Sequence, residues 1–311
     1  MIKQSSKISL FFKKHQKSLV FWGFLAPALL AFVFTIIIPF FLGLYYSFTD
    51  WRGFGTPEFI GFENYIRLFT AGGNESIRFI YSLIITFVFA AINIVLLNII
   101  SFSLALLVTR GLKFQNFYRV GFFLPNLIGG IVLGYLWKFI FNNVVPDVTL
   151  LASGESFLML ADRNTAILGI SLTWGWQYAG YLMMIYVTAI QNIPQDIVEA
   201  SEIDGAKFMQ RIRHIMLPMV APAFTVTLFL TLINSFKQFD VNFALTAGGP
   251  STEFQGLSLW GTKLISMYIL DTYQVSLRPA LAQAQAVIFF IVLTLISIIQ
   301  VQYNKRKEIE A

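Results

Sequence analysis

EASEIDGAKFMQRIRHIMLP, running from Glu199 to Pro218, is a polar segment with a glycine joint, wedged between two long apolar runs. Each of those runs can cross a hydrocarbon core about 30 Å thick, which takes roughly 20 residues of helix. A polar loop held between them lies at a membrane surface and touches water. The rest of the chain repeats the pattern. It is 57% hydrophobic and 12% charged, with 33 Phe and a mean hydropathy of +0.70, whereas soluble domains carry about 25% charged residues. Six stretches reach spanning length, at about residues 20–47, 79–108, 119–142, 165–190, 219–241 and 280–302. In hydrocarbon every backbone amide must be satisfied within its own segment, and the ten-residue alternating pattern of a barrel is absent. The sequence therefore predicts an all-α polytopic membrane protein with six transmembrane helices. A basic segment, 1–18, precedes a six-helix domain, 19–311.

Loops rich in Lys and Arg stay cytoplasmic. With six spans both termini share a side, and that side carries Lys3, Lys7, Lys13, Lys14, Lys17, Arg110, Lys113, Arg119, Lys207, Arg211, Arg213, Lys305, Arg306 and Lys307. The opposite side has fewer cations, diluted among acids in longer loops. Both termini and the loop 193–218 are thus expected in the cytoplasm. Anionic lipid at that surface accounts for the net charge of +6 without nucleic acid. The stretch SKISLFFKKHQKSLVFWGF lacks a small-residue cleavage site and reads as an interfacial helix entering the first span. There is no cysteine, and the two histidines, His15 and His214, both fall in cytoplasmic polar segments, so no metal site is expected. No G-x-x-x-x-G-K-[ST] occurs, so the chain is expected to hold no catalytic residues and to be no enzyme.

Two longer segments face outward. The first contains FIGFENYIRLF (Phe59 to Phe69), amphipathic with Gly61 as a joint; the second opens with LTAGGPST (Leu245 to Thr252), where glycine and proline force a turn. LSLWGTKLISMYILDTY, within 253–279, is too short and too interrupted to span and reads as a re-entrant or surface helix.

Within the cytoplasmic loop, Asn192, Pro194 and Asp196 open a short helix with acids in its first turn, as the helix dipole favours. Gly205 allows a bend into a second, basic helix, 206–216, and Pro218 opens the fifth span. Two short helices at an angle make a knob that can fill a groove on a soluble partner.

Two spans carry polar stripes near mid-membrane. Trp174, Gln177, Tyr178 and Tyr181 fall at i, i+3, i+4, i+7 on the fourth, and Thr231, Asn234, Ser235 and Gln238 repeat that spacing on the fifth. Gln177 lies about 18 Å and Thr231 about 15 Å from the outer surface at 1.5 Å per residue. Polar groups in lipid are costly, so these stripes either face a wet cavity or bond helix to helix. Amides and hydroxyls beside Trp and Tyr rings suit sugars. Lys237 and Asp240, at i, i+3 near the outer end of the fifth span, either pair as an outer gate or leave Lys237 to snorkel. Asn93, Asn98, Gln283 and Gln285 read as packing residues.

The order Glu199, Ala200, Ser201, Asp204, Gly205, Ala206, Ile215, Leu217, Pro218 resembles the signature cytoplasmic loop of ABC importer permeases. GFENYIRLF, Arg119 with FFLPN (Phe122 to Asn126), Trp137, NIPQDIVEAS and LTAGGP resemble the carbohydrate branch, the group of the maltose and glycerol-3-phosphate importers. Together they cover most of the chain in the family's order. Ser201 stands where the family usually has Ala, Ile212 where it has Phe, and SLRPALAQA where it tends to a Gly-Tyr-Ala-Ala run.

The resemblance implies a type I permease fold in a bacterial cell membrane. It implies that the nine loop residues form a coupling helix docked on a separate ATPase, with Glu199 facing a basic residue and Gly205 as the joint. It implies a second permease, two ATP-binding subunits that hold ATP and Mg, an extracellular sugar-binding protein and a sugar substrate, probed at the positions Trp174, Gln177, Tyr178, Tyr181, Thr231, Asn234, Ser235 and Gln238. In the maltose permease the positions matching these, Trp174 apart, line the sugar site. The competing reading, an ion-driven secondary transporter, needs ionisable groups deep in the spans, and the deep stripes are neutral.

Overall fold

The computed structural model describes residues 7–305 apart from 71 and 112; Lys3, Arg306 and Lys307 lie outside the described residues. α1 (Lys7–Phe32) passes through a π turn (Val33–Ile37) into α2 (Ile38–Tyr46). α3 (Glu63–Phe69) precedes α4 (Asn74–Val108), the longest helix. α5 (Gln115–Phe123) ends in a 3-10 turn (Leu124–Leu127), followed by α6 (Gly130–Phe139), a second π turn (Ile140–Val144) and α7 (Val145–Ser153). α8 (Arg163–Gln191) leads to α9 (Gln195–Ile203), α10 (Phe208–Arg211), a third π turn (Ile212–Met216) and α11 (Leu217–Met219). α12 (Ala221–Phe236) and α13 (Asp240–Thr246) precede the antiparallel hairpin β1 (Ser251–Phe254) and β2 (Leu257–Trp260), then α14 (Ile265–Gln274) and α15 (Pro279–Lys305).

Each π turn is followed, at the second residue of the next helix, by a proline: Pro39, Pro146 and Pro218. Proline cannot donate to the carbonyl four residues back and its ring collides with it. Widening the preceding turn relieves that collision without ending the helix.

Three helices are long and apolar enough to span: Val20–Tyr46, Asn74–Val108 and Pro279–Tyr303. Two further spans are bent pairs, Gln115–Leu127 with Gly130–Ser153 at 96° and Phe208–Met219 with Ala221–Phe236 at 73°. The stretches expected at 119–142 and 219–241 thus fall in bent helix pairs. Pro125 tightens the chain into the 3-10 turn, and Ile128 and Gly129 are extended; the fifth helix stops at Phe236. α8 has 29 residues, about 43 Å of helix at 1.5 Å per residue, enough to cross. Its middle is too polar for a lipid-facing span, and it is instead shielded by the neighbours packed along it, α4 above all.

The all-α fold carries one short hairpin in its outer segment. Gln255 and Gly256, both with positive φ (51° and 75°), close a two-residue turn between β1 and β2, the mirror-image geometry that suits strand twist. LSLWGTKLISMYILDTY is therefore a strand followed by a short helix, not one helix.

Polar side chains tie the centre together. Tyr186 Oη donates to Asn98 Oδ1 at 2.7 Å and lies 2.6 Å from Thr227 Oγ1; Asn93 Nδ2 donates to Ser171 Oγ at 3.0 Å, and Ser101 Oγ to the Ala179 carbonyl at 2.9 Å. Asn93 and Asn98 thus join α4 to α8 as packing residues. Tyr186→Phe is expected to cost about 0.6 kcal/mol and no more than about 1.7, the range for hydrogen bonds between membrane helices; unfolding in mixed micelles with graded denaturing detergent measures it, and a loss beyond that range would mean the network does more than join helices.

The two ends of the bundle are distinct. Just past α4, the Arg110 guanidinium lies 3.9 Å from the centroid of the Phe208 ring on α10. Near its other end, Tyr81 Oη donates to the Gly261 carbonyl after the hairpin at 2.8 Å. From Tyr81 to Val108 the helix rises about 40 Å, so the bent polar segment and the hairpin lie a bilayer apart.

Candidate functional site

The bent segment is built by local rules. Pro194 is the extended residue before α9, and Asp196 sits in its first turn. α9 ends in a Schellman motif: Ala206 N–H donates to Ser201 O at 2.9 Å and Gly205 N–H to Glu202 O at 3.0 Å, with Gly205 left-handed at φ +72°. Lys207 N–H then donates to Gln210 Oε1 at 2.7 Å, opening α10. An ion pair between Arg211 and Glu202 clasps the two arms across the joint. Ser201 and Ile212, where the chain departs from the resembling loop, are buried.

Among its exposed polar residues this segment also carries large apolar side chains. Ile203 is 87% and Met209 69% exposed, and Ala200 is exposed on the same helix. Beside them Glu199 is exposed, its Oε1 accepting from Gln195 Nε2 at 2.6 Å. Ile215, Leu217 and Pro218 are half-buried where the third π turn meets α11, Ala206 is half-buried at the joint, and Asp204 caps α9. Sequence reasoning missed Ile203 and Met209, although their signal, apolar residues inside a charged loop, was present.

The two mid-membrane stripes divide. Trp174 is buried and stacks on Tyr178 (centroids 5.3 Å apart, 12° between planes), Tyr178 contacts Tyr181 at 5.3 Å, and Asn234 Nδ2 donates to Tyr178 Oη at 2.8 Å. These four form one connected patch between α8 and α12. Gln177 turns away, its Nε2 donating to the Ile128 carbonyl at 2.8 Å, where it secures the break between α5 and α6. Thr231 and Ser235 are fully buried and donate to carbonyls of their own helix, Thr227 and Thr231. Gln238 lies beyond the helix, buried, its carbonyl accepting from Ser266 Oγ at 2.5 Å.

Lys237 ends α12 and Asp240 begins α13, so the helical spacing expected for them is broken. Among the described residues no ion pair joins them, and both are exposed. Asp240 instead packs beside Gly130, at the start of α6. Among the described residues no group of three or more His, Cys, Asp or Glu could hold a metal ion.

A family described as "Binding-protein-dependent transport system inner membrane component" matches residues 98–309. The chain is 43% identical over 293 residues, 93% of its length and 95% of the relative's, to a "Probable starch degradation products transport system permease protein AmyD" of Thermoanaerobacterium thermosulfurigenes. It is 30% identical over 292 residues, covering 93% of itself and 96% of the relative, to a "Multiple sugar-binding transport system permease protein MsmF" of Streptococcus mutans. Its fold is similar to a chain of a bacterial alginate ABC transporter crystallised with an alginate pentasaccharide-bound periplasmic protein, with TM-score 0.79 and 19% identity over 95% of this chain and 97% of that one.

Proposed function

Because this chain belongs to the family of binding-protein-dependent transport system inner membrane components, a non-enzymatic membrane subunit of ABC importers, we propose that it forms half the pathway of an ATP-driven oligosaccharide importer. The observation that carries the cargo is the 43% identity, over nearly the whole of both chains, to a starch degradation products permease. A pathway for sugars needs neutral polar and aromatic groups at mid-membrane, and the connected patch of Trp174, Tyr178, Tyr181 and Asn234 supplies them.

In this reading a second permease completes the pathway, two ATP-binding subunits hold ATP and Mg, and an extracellular binding protein delivers the sugar. The loop 193–218 and both termini face the cytoplasm. The tip around Ile203 and Met209 seats in a groove of the ATPase, Glu199 meets a basic residue there, and the Arg211–Glu202 clasp keeps the two arms moving as one. A carboxylate meeting an arginine gives a directional, charge-assisted contact. Closure of the nucleotide domains then moves the knob as a unit and turns the pathway from inward to outward.

Copurification of the chain with an ATPase, and accumulation of labelled oligosaccharide in vesicles only with ATP, test the reading; uptake driven by an ion gradient without ATP would sink it. Asn234→Ala removes the amide from Tyr178 and is expected to weaken sugar handling about tenfold, the equivalent of about 1.4 kcal/mol, with the complex still assembled. Uptake against sugar concentration measures this, and an unchanged profile would assign Asn234 to helix packing alone.

A further inference from the structure

At the end of the bundle opposite the bent segment, the first turns of α4, the β1–β2 hairpin and α14 enclose a cavity of about 500 Å³, within the range of small-molecule sites. None of the residues discussed for coupling or for the mid-membrane patch lines it. Its wall holds Arg78, Ser258, Trp260, Lys263, Tyr268 and Asp271, with further serine and threonine hydroxyls between them.

These groups combine three chemistries. Trp260, at the end of β2, is 53% exposed and offers a flat apolar surface. Lys263 Nζ lies 5.7 Å from the centroid of that ring and is ion-paired with Asp271, so a donor and an acceptor stand together beside the indole. Arg78 carries no ion pair among the described residues and adds a planar set of donors. Burial holds the Tyr268 phenol above its ordinary value, with nearby Arg78 working the other way, so it enters as a neutral hydroxyl. An apolar plate ringed by both donors and acceptors matches a ligand with an apolar face edged by hydroxyls. The Asp271 carboxylate, paired with Lys263, offsets one of the two cations of the wall.

The site is also rigid before anything binds. Tyr81 Oη holds the Gly261 carbonyl at 2.8 Å, Asn242 Nδ2 the Thr262 carbonyl at 2.7 Å, and Thr262 Oγ1 the Gly249 carbonyl at 2.7 Å, which lowers the ordering cost of binding. Phe89, whose ring centroid lies 5.9 Å from that of Trp174, follows Tyr81 on α4 by about 12 Å of helix rise. The cavity thus lies one step outward of the mid-membrane patch.

We propose that this cavity is a second carbohydrate site, which holds the sugar at the outer mouth before it reaches Tyr178 and Asn234. The proposal rests on the importer reading, and the test separates the two. Vesicles containing the whole importer and its binding protein are offered maltotriose, raffinose and galactotriose, and the sugar accumulated most strongly becomes the probe. Binding of that probe to the importer in nanodiscs, without the binding protein, is then compared for the wild type, Trp260→Ala and the milder Arg78→Gln, with Asn234→Ala to report the deeper patch. Both outer variants are expected to lose about tenfold in affinity in an Asn234→Ala background as well as alone. Equal binding by the wild type and both outer variants overturns the site while leaving the importer intact. Weakened association of the binding protein, with sugar binding unchanged, overturns it too and makes the cavity a protein docking surface. No uptake of any of the three sugars by the wild type removes the importer reading, and the outer site with it.

Discussion

Gly205→Val is expected to abolish uptake while the chain still inserts and still pairs with a second permease. A Cβ at Gly205 would meet nothing within 4 Å, so the substitution causes no collision inside this chain. Its cost is conformational: φ is +72°, where an L-residue is strained by about 1–2 kcal/mol and a β-branched one is a genuine outlier. Relief comes from leaving the left-handed region, which breaks the two Schellman hydrogen bonds of Ala206 and Gly205 and changes the angle between α9 and α10. Ile203 and Met209 would then no longer stand in the relation that a partner's groove requires. ATPase retained on the purified complex should fall with uptake. Gly205→Asn is the control, since Asn tolerates the left-handed region, and it is expected to keep most transport. Glu199→Lys should fail as Gly205→Val does, by charge and not by shape. Normal uptake by both Gly205→Val and Glu199→Lys would remove the coupling role from this segment.

The parts of the molecule legible in its sequence are those set by local chemistry. Apolar length placed the helices, and the acid, glycine and proline order around Asp196, Gly205 and Pro218 placed the bent segment, because caps and left-handed turns depend on a few adjacent residues. The 96° break after Leu127 was hidden, although Pro125, Gly129 and Gly130 stand there. Proline within a membrane helix has several outcomes: Pro27 sits within unbroken α1, at Pro39, Pro146 and Pro218 a π turn precedes it, and at Pro125 the helix ends. The break after Pro125 is tied by a tertiary bond, from Gln177 Nε2 to the Ile128 carbonyl, and spacing along one helix does not report that. The same limit explains the stripes. Periodicity grouped Thr231 and Ser235 with Asn234, yet only Asn234 reaches across to Tyr178. The hairpin escaped notice because LSLW is equally apolar as strand or helix, and the Gln255–Gly256 turn that settles it is a weak signal inside a long outer segment.

Gly180→Ala is expected to be the most damaging single-methyl change in the protein, and the reason connects the fold to the pathway. A Cβ at Gly180 would fall far inside contact with the Phe122 carbonyl and 3.0 Å from the Phe123 amide nitrogen. These are backbone atoms, so no side chain can turn aside. By comparison, a Cβ at Gly134 would lie 2.6 Å from the Ala244 methyl and 3.1 Å from the Val241 carbonyl, close as well but not so deeply into backbone. The glycine lets α8 touch the end of α5 directly, as small residues do between membrane helices. Gly180 stands between Tyr178 and Tyr181 and three residues from Gln177, so pushing α5 away should stretch the Gln177–Ile128 bond that secures the break. Overpacking alone costs roughly 1–3 kcal/mol, and release of the half-buried Gln177 amide and Ile128 carbonyl adds to it. The expected outcome is a lowered melting temperature for the purified complex and uptake reduced at least about tenfold, with ATPase still bound because the bent segment is untouched. That last readout separates Gly180→Ala from Gly205→Val. A Gly180→Ala protein with unchanged melting temperature and uptake would show that α5 and α8 separate freely, and the bent third span would then lose its role in holding the mid-membrane patch in place.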